Sequence, residues 1–346
     1  RVSKRTGVRR VRVTQLRTKT IGFTNAVKLQ SVLVHHLSIA ILAVAYGVIL
    51  ASLPLEAFKD RANYLVYAKD SWAILIRYWE RGLLPTLANE PIWLLLNSGF
   101  AKWLAPENVV RLIIFIPASL VAWLVLRYGR RQFLWLLFFL LLPSVVKNHI
   151  VHLRQGVAIA VFMAGWMTTW RPGRIILLAT TPFIHSSFFF ILSLMTFTSM
   201  LRSFRISVGL RNVFVAIAGI VIGLRLEWLA SLFGARQAMQ YEFAATDVSG
   251  LGFAFWFLVL VVWCFQGPSF LDRHSFEVAA IVFYLSTYFF IEVSARIFES
   301  SLLLVLLAGL GLTGWRRQAL LVMMLGYGVL QWVMRIGQPG LGFGIG

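Results

Sequence analysis

Acid is scarce in this sequence. Its 346 residues include 13 Asp and Glu against 33 Lys and Arg, a formal net charge of +20. Charged residues of either sign make up 13% of the chain, where a soluble domain carries roughly a quarter. A water-facing surface cannot be covered with so little charge. Cysteine is scarcer still, because the single Cys264 stands inside an apolar run. That excludes a disulfide framework and a cysteine-based metal site. A membrane β-barrel needs alternating segments of about ten residues. Runs such as 32–53 and 301–313 show no alternation.

Apolar residues are what is abundant. They form 59% of the chain, and the mean hydropathy is +0.78. Long apolar runs separated by short basic clusters give an all-α, polytopic membrane protein. Residues 1–30 hold nine Lys or Arg and no acid. They read as a cytoplasmic segment held by anionic membrane lipids, not as a nucleic-acid-binding arm. The basic stretch is too long for a cleavable signal peptide, and no small-residue cleavage site follows 31–53.

Runs near 31–53, 109–127, 133–148, 155–170, 212–228, 251–266, 277–293, 297–313 and 318–335 read as spanning helices. The stretch 174–201 is too long for one span and holds Pro182 and His185, so it reads as two short helices meeting near His185. Together these make about eleven crossings in one transmembrane domain, 31–336. A Gly-rich tail, 337–346, follows, and its glycines argue against helix. Several spans are shorter than the roughly 20 residues a full crossing takes, which predicts a cavity recessed from one face.

Basic clusters set the orientation. Arg127, Arg130 and Arg131, then Arg171 and Arg174, Arg202, Arg205 and Arg211, Arg273, and Arg316 and Arg317 mark cytoplasmic loops. With the N-terminus inside, this holds if 91–105 does not cross. Residues 54–105 therefore read as one external loop of interfacial amphipathic helices. Trp72, Leu75, Ile76, Trp79, Leu83 and Leu84 recur there at helical spacing, with Arg77, Glu80 and Arg81 between them.

Four constellations on the external side carry chemistry. Asp60 and Tyr64, then Glu90 before Pro91, place carboxylates under amphipathic helices, where partial desolvation raises a carboxylate toward general-base range. Balance against Lys59 and Arg61 is the structural reading of the same acids. His149, His152, Arg154 and Gln155 lead into a helix of small residues. An Arg at a helix mouth with no acid close in sequence reads as an anion site, where its fork and the free backbone N–H groups bind phosphate oxygens together, or as a side chain snorkelling to the lipid headgroups. The two histidines are three apart without a carboxylate, so no metal is expected. His185, in Phe183-Ile184-His185-Ser186-Ser187, can take a proton near neutral pH or merely end a helix. Arg296 has Glu292 and Glu299 at −4 and +3, a structural ladder or a positioned phosphate ligand.

Taken in order, these motifs resemble a known group. Asp60 with Tyr64, Glu90-Pro91-Ile92-Trp93, Arg154 through Ala158, Phe183 through Ser187 and Ala295-Arg296-Ile297 look like the EpsG family of bacterial exopolysaccharide proteins. That family is similar to the Wzy-type O-antigen and capsule polymerases and to GT-C glycosyltransferases. The likeness covers roughly residues 40–315 and rests on short motifs. Arg154 and Gly165 match the Arg-x10-Gly pattern of the Wzy-type enzymes; Arg296 does not, since Gly309 is its first following glycine.

The resemblance implies a GT-C-like fold in the bacterial inner membrane and a polymerase acting on undecaprenyl-diphosphate-linked repeat units at the periplasmic face. It implies no cofactor and leaves room for a chain-length regulator. Arg154 and Arg296 would hold the diphosphate, with His149, His152, Tyr64 and Gln155 also lining the substrate. His185, Asp60 or Glu90 would be the base. Trp72, Trp79 and Trp93 would stack on sugars or anchor the interface. A lipid-linked oligosaccharide transporter, or a non-catalytic subunit of an export complex, is the competing expectation.

Overall fold

The computed structural model describes residues 33–232, 249–291 and 293–344. The basic segment 1–30 and Glu292 lie outside the described residues. The fold is all-helical; among the described residues, β-type pairing is limited to one isolated bridge, Phe58 with Gly344. Helix α1 is Leu33–Ser52. It is followed by α2 (Arg61–Glu80), α3 (Leu83–Ala88), α4 (Pro91–Ala101) and α5 (Pro106–Leu126). Next come α6 (Phe133–Leu140), α7 (Pro143–Ile150), α8 (Leu153–Met167), α9 (Arg171–Thr180), α10 (Ser187–Ser203) and α11 (Val208–Leu232). The last group is α12 (Leu251–Cys264), α13 (Pro268–Arg273), α14 (Ser275–Thr287), α15 (Ser294–Glu299), α16 (Leu302–Gly309) and α17 (Gly314–Val333).

Three helices are long and apolar enough to cross a membrane: α1, α5 and the Val208–Leu226 part of α11. A fourth is reached if α6 and α7, bent by 63°, form one broken span. Length and composition therefore mark a membrane protein but fall short of the expected number of spans. Helices α4, α8, α10, α12 and α14 are apolar yet only 10–17 residues long, against the roughly 20 that cross a bilayer unaided.

Two expected single spans are broken, and the residues at the breaks explain why. Pro143 at the first position of α7 lacks an N–H and clashes with the preceding turn, which ends α6. In 297–313 the hydroxyls of Ser300 and Ser301 bond back to the carbonyls of Arg296 (3.2 Å) and Phe298 (3.0 Å), competing with the helix ladder between α15 and α16. The 174–201 stretch breaks at a 3-10 turn, Thr181–Phe183, which leaves His185 between α9 and α10.

The bundle has two chemically distinct ends. At one end Asp272 bridges Arg202 and Arg211, Gln266 donates to Thr313 (3.0 Å), Arg316 donates to the Phe265 carbonyl (3.1 Å), and Gln132 donates to the Leu310 carbonyl (3.4 Å). This end gathers the arginine-rich loops. At the other end sit residues 54–60, α2 to α4, the α7–α8 and α9–α10 junctions, and α15. The tail returns to that second end. Lys59 donates its backbone N–H to the Phe343 carbonyl (3.0 Å), Phe58 pairs with Gly344, and the ring of Phe343 packs against Trp332 and the Arg335 guanidinium. Residues 339–344 make a compact turn through left-handed backbone at Gly340, Leu341 and Gly342.

Helix α2 packs on α4 and α5. Its outer face leaves Trp72 59% and Trp79 66% exposed, with Ile76 between them at helical spacing. Trp93 is different. It is buried against Tyr64 and Tyr67 with edge-on rings at 5.8 and 6.1 Å, so it neither anchors an interface nor presents a face to a sugar.

Candidate functional site

Glu90 is the node of the site. It caps α4 just before Pro91, in left-handed backbone at φ 61°, a conformation that non-glycine residues seldom hold. Its carboxylate is 2% exposed and is satisfied from three directions. One oxygen accepts from the Arg154 guanidinium in the first turn of α8. The other lies 2.9 Å from His185 Nδ1 and accepts the Ser186 backbone N–H at 3.2 Å. Three chain segments, far apart in sequence, thus converge on one acid.

This geometry fixes the His185 tautomer. A carboxylate accepts, so Nδ1 carries the proton and Nε2 keeps its lone pair. Burial pulls the His185 pKa below the usual imidazole value, and the Glu90 carboxylate opposes that shift. A neutral imidazole oriented by a buried acid is the arrangement of a general base.

Arg154 is not the unopposed cation its sequence neighbours suggested, because Glu90, distant in sequence, neutralises it. Its guanidinium also lies 5.6 Å from the Tyr67 ring, and burial pushes the Tyr64 phenol pKa up while the Arg154 charge opposes that. Its Nε, buried, has no hydrogen-bond partner. Tyr64, Tyr67 and Trp93 make an aromatic wall behind it.

A second ion pair lies close by. Lys147 on α7 bonds to Glu299 on α15 at 2.7 Å. The charges of Lys147, Arg296 and Arg154 all bear on His152, whose pKa is pushed down to about 2 by burial first and then by that company. His152 is therefore a neutral residue in a cationic surround. Glu299, expected beside Arg296, is instead committed to Lys147.

The remaining expected residues fare differently. Gln155 is buried and donates to the Arg296 carbonyl (2.7 Å) and to Ser300 Oγ (3.1 Å), so it fastens α8 to α15 instead of facing a substrate. Ser187 and Ser300 hydroxyls, 2.8 Å apart, extend that seam to α10. His149 is buried 6.4 Å from the Tyr46 ring, with no partner on either ring nitrogen, and does not join the Glu90 cluster. Asp60 is exposed at the start of α2, and among the described residues no hydrogen bond or ion pair joins it to Glu90, Arg154 or His185. The Lys147–Glu299 pair and Tyr67 went unread in the sequence. Tyr67 was within reach, since it follows Tyr64 by one helical turn.

No family model, curated protein or solved structure matches the chain.

Proposed function

We propose that this protein is a membrane glycosyltransferase that polymerises undecaprenyl-diphosphate-linked oligosaccharide repeat units into a bacterial surface polysaccharide. The observation that carries the reading is the Glu90–His185 pair set among Arg154, Arg296 and Lys147. In the reaction, the acceptor hydroxyl gives its proton to His185 Nε2 as its oxygen attacks the donor's anomeric carbon. The bond from that carbon to the diphosphate oxygen breaks, and the diphosphate leaves with the electron pair. Departing negative charge is stabilised by guanidinium groups already held in place, which costs no reorganisation during the step. Glu90 orients the base and holds Arg154.

The same reading assigns about eleven crossings, one for each segment running between the two ends. It puts the arginine-rich end in the cytoplasm under the positive-inside bias and the Glu90 end on the periplasmic side of the inner membrane. The exposed Trp72 and Trp79 favour α2 lying in the interface.

Elongation of a purified lipid-linked repeat by the purified protein tests the proposal. Wild type lengthens chains, and folded His185→Gln, Arg154→Ala and Arg296→Ala variants lose at least ~10²-fold in rate. Undiminished elongation by those variants sinks the site. One observation favours a second reading, transport of the lipid-linked oligosaccharide: Lys147–Glu299 joins two interrupted helices, α7 and α15, as ion-coupled transporters do at their substrate sites. Wild type that never elongates but moves substrate across liposomes replaces the first reading with the second.

A further inference from the structure

Arg61 is 3% exposed, and neither its Nε nor its Nη1 has a hydrogen-bond partner. A buried guanidinium with unmade N–H bonds is costly, because its lost hydration goes uncompensated. Its neighbours are the Phe58 ring, 5.5 Å from its Cζ, and Tyr64, one turn further along α2. Arg111 of α5, against which α2 packs, is the next cation and donates to the Ala51 carbonyl at the end of α1. Among the described residues no ion pair joins Arg61 or Arg111 to an acid, although Glu56, Asp60 and Glu107 are close in sequence and exposed. Burial holds Arg61 down to about 10, the Tyr64 phenol opposes that, and the Arg111 charge adds to it. A buried guanidinium with unmade N–H bonds, a second arginine on the helix packed against it and no acid paired with either make a receptor for an anion. The Tyr64 ring lies against that of Tyr67, which faces the Arg154 guanidinium, so this place shares an aromatic wall with the Glu90 cluster.

We infer that Arg61 and Arg111, at the junction of α1, α2 and α5, form a phosphate-binding site separate from the Glu90–Arg154–His185 cluster. Its ligand chemistry is the phosphate ester of a lipid, supplied either by an anionic phospholipid headgroup or by the diphosphate of a second polyprenyl-linked molecule. The inference does not rest on the protein being a transferase, because binding is read without turnover.

The test is thermal unfolding of the full chain in neutral detergent, titrated separately with phosphatidylglycerol, farnesyl diphosphate and inorganic pyrophosphate. At least one probe raises the Tm of wild type and, equally, of Arg130→Ala, an exposed residue at the opposite end of the bundle. In Arg61→Gln and Arg111→Gln the half-saturating concentration of that probe rises about tenfold or more, from loss of a charge-assisted bond. If Arg61→Gln does not fold, Arg111→Gln decides the matter. A response to phosphatidylglycerol alone assigns the site to the bilayer, one to farnesyl diphosphate alone to a lipid-linked substrate, and one to all three to the phosphate group itself. The inference fails if no probe raises the Tm, if sodium chloride at matched ionic strength does so equally, or if the rise is undiminished in both glutamine variants.

Discussion

Glu90 does two jobs at once, and its neighbours let them be separated. Replacing it with Gln removes the charge opposite a largely buried Arg154, and breaking such a pair costs about 3–5 kcal/mol. Replacing His185 with Gln removes one hydrogen bond, about 1 kcal/mol. Glu90→Gln should therefore lower both the Tm and activity, whereas His185→Gln should abolish activity at nearly wild-type Tm. Equal Tm losses in the two variants would contradict the assignment. A pH profile adds a sign. His185 must be neutral to accept a proton, and its pKa is lowered, so activity falls on the acid side below the ordinary imidazole value of about 6.5. Glu90 opposes that lowering, so in any active Glu90→Gln preparation the acid limb moves to still lower pH. A limb that moves up would show that His185 is not the titrating base.

Glu90, Arg154 and His185 were each visible in the sequence by residue type and position, but their union was not. They are joined across 64 and 95 residues of chain, and Lys147 meets Glu299 across 152. Local spacing carries no information about such closures. It also misplaced Arg154, since "no nearby acid" was a statement about the chain and not about space.

At the scale of helices, close approach is set by glycine. A Cβ on Gly156 would stand 2.2 Å from the Asn148 carbonyl oxygen and 3.2 Å from His149 Nδ1, and one on Gly47 would stand 2.8 Å from the Phe115 carbonyl oxygen. The two carbonyl contacts are with backbone and cannot be relieved by a side-chain rotation. Gly156→Val should cost about 1–3 kcal/mol and, by pushing α8 off α7, displace Arg154 from Glu90. Gly99→Val, where a Cβ meets nothing within 4 Å, serves as the control. Thermal melts of both variants check this, and equal Tm values would refute it. The breaks in the helices were only partly legible. Pro143 was a readable stop inside 133–148. Ser300 and Ser301 were not, because hydroxyl competition with the helix ladder depends on how α8 and α10 hold the break from outside.

The whole molecule is a bundle with the Glu90 cluster at one end and the arginine-rich loops gathered at the other. Single-cysteine variants in a Cys264→Ser background test its orientation with an impermeant thiol reagent. Lys102→Cys and Gly337→Cys, both exposed at the Glu90 end, should label from outside intact cells, and Arg130→Cys should label only after lysis. Labelling of Lys102→Cys and Arg130→Cys from the same side would overturn the two-ended arrangement. Helical class and amphipathic α2 were legible because composition and periodicity are local properties. Helix lengths and breaks, on which the number of crossings turns, are not.

The pairing of Phe58 with Gly344 also has a consequence in time. Residues 54–60 leave the ribosome roughly 290 residues before the segment that covers them, an interval on the order of tens of seconds at ordinary rates of synthesis. Through that interval the loop leading to Arg61 stands without its final partner. A chain stopped before Pro339 should keep that loop open to added protease indefinitely, and the full chain should close it when translation is done.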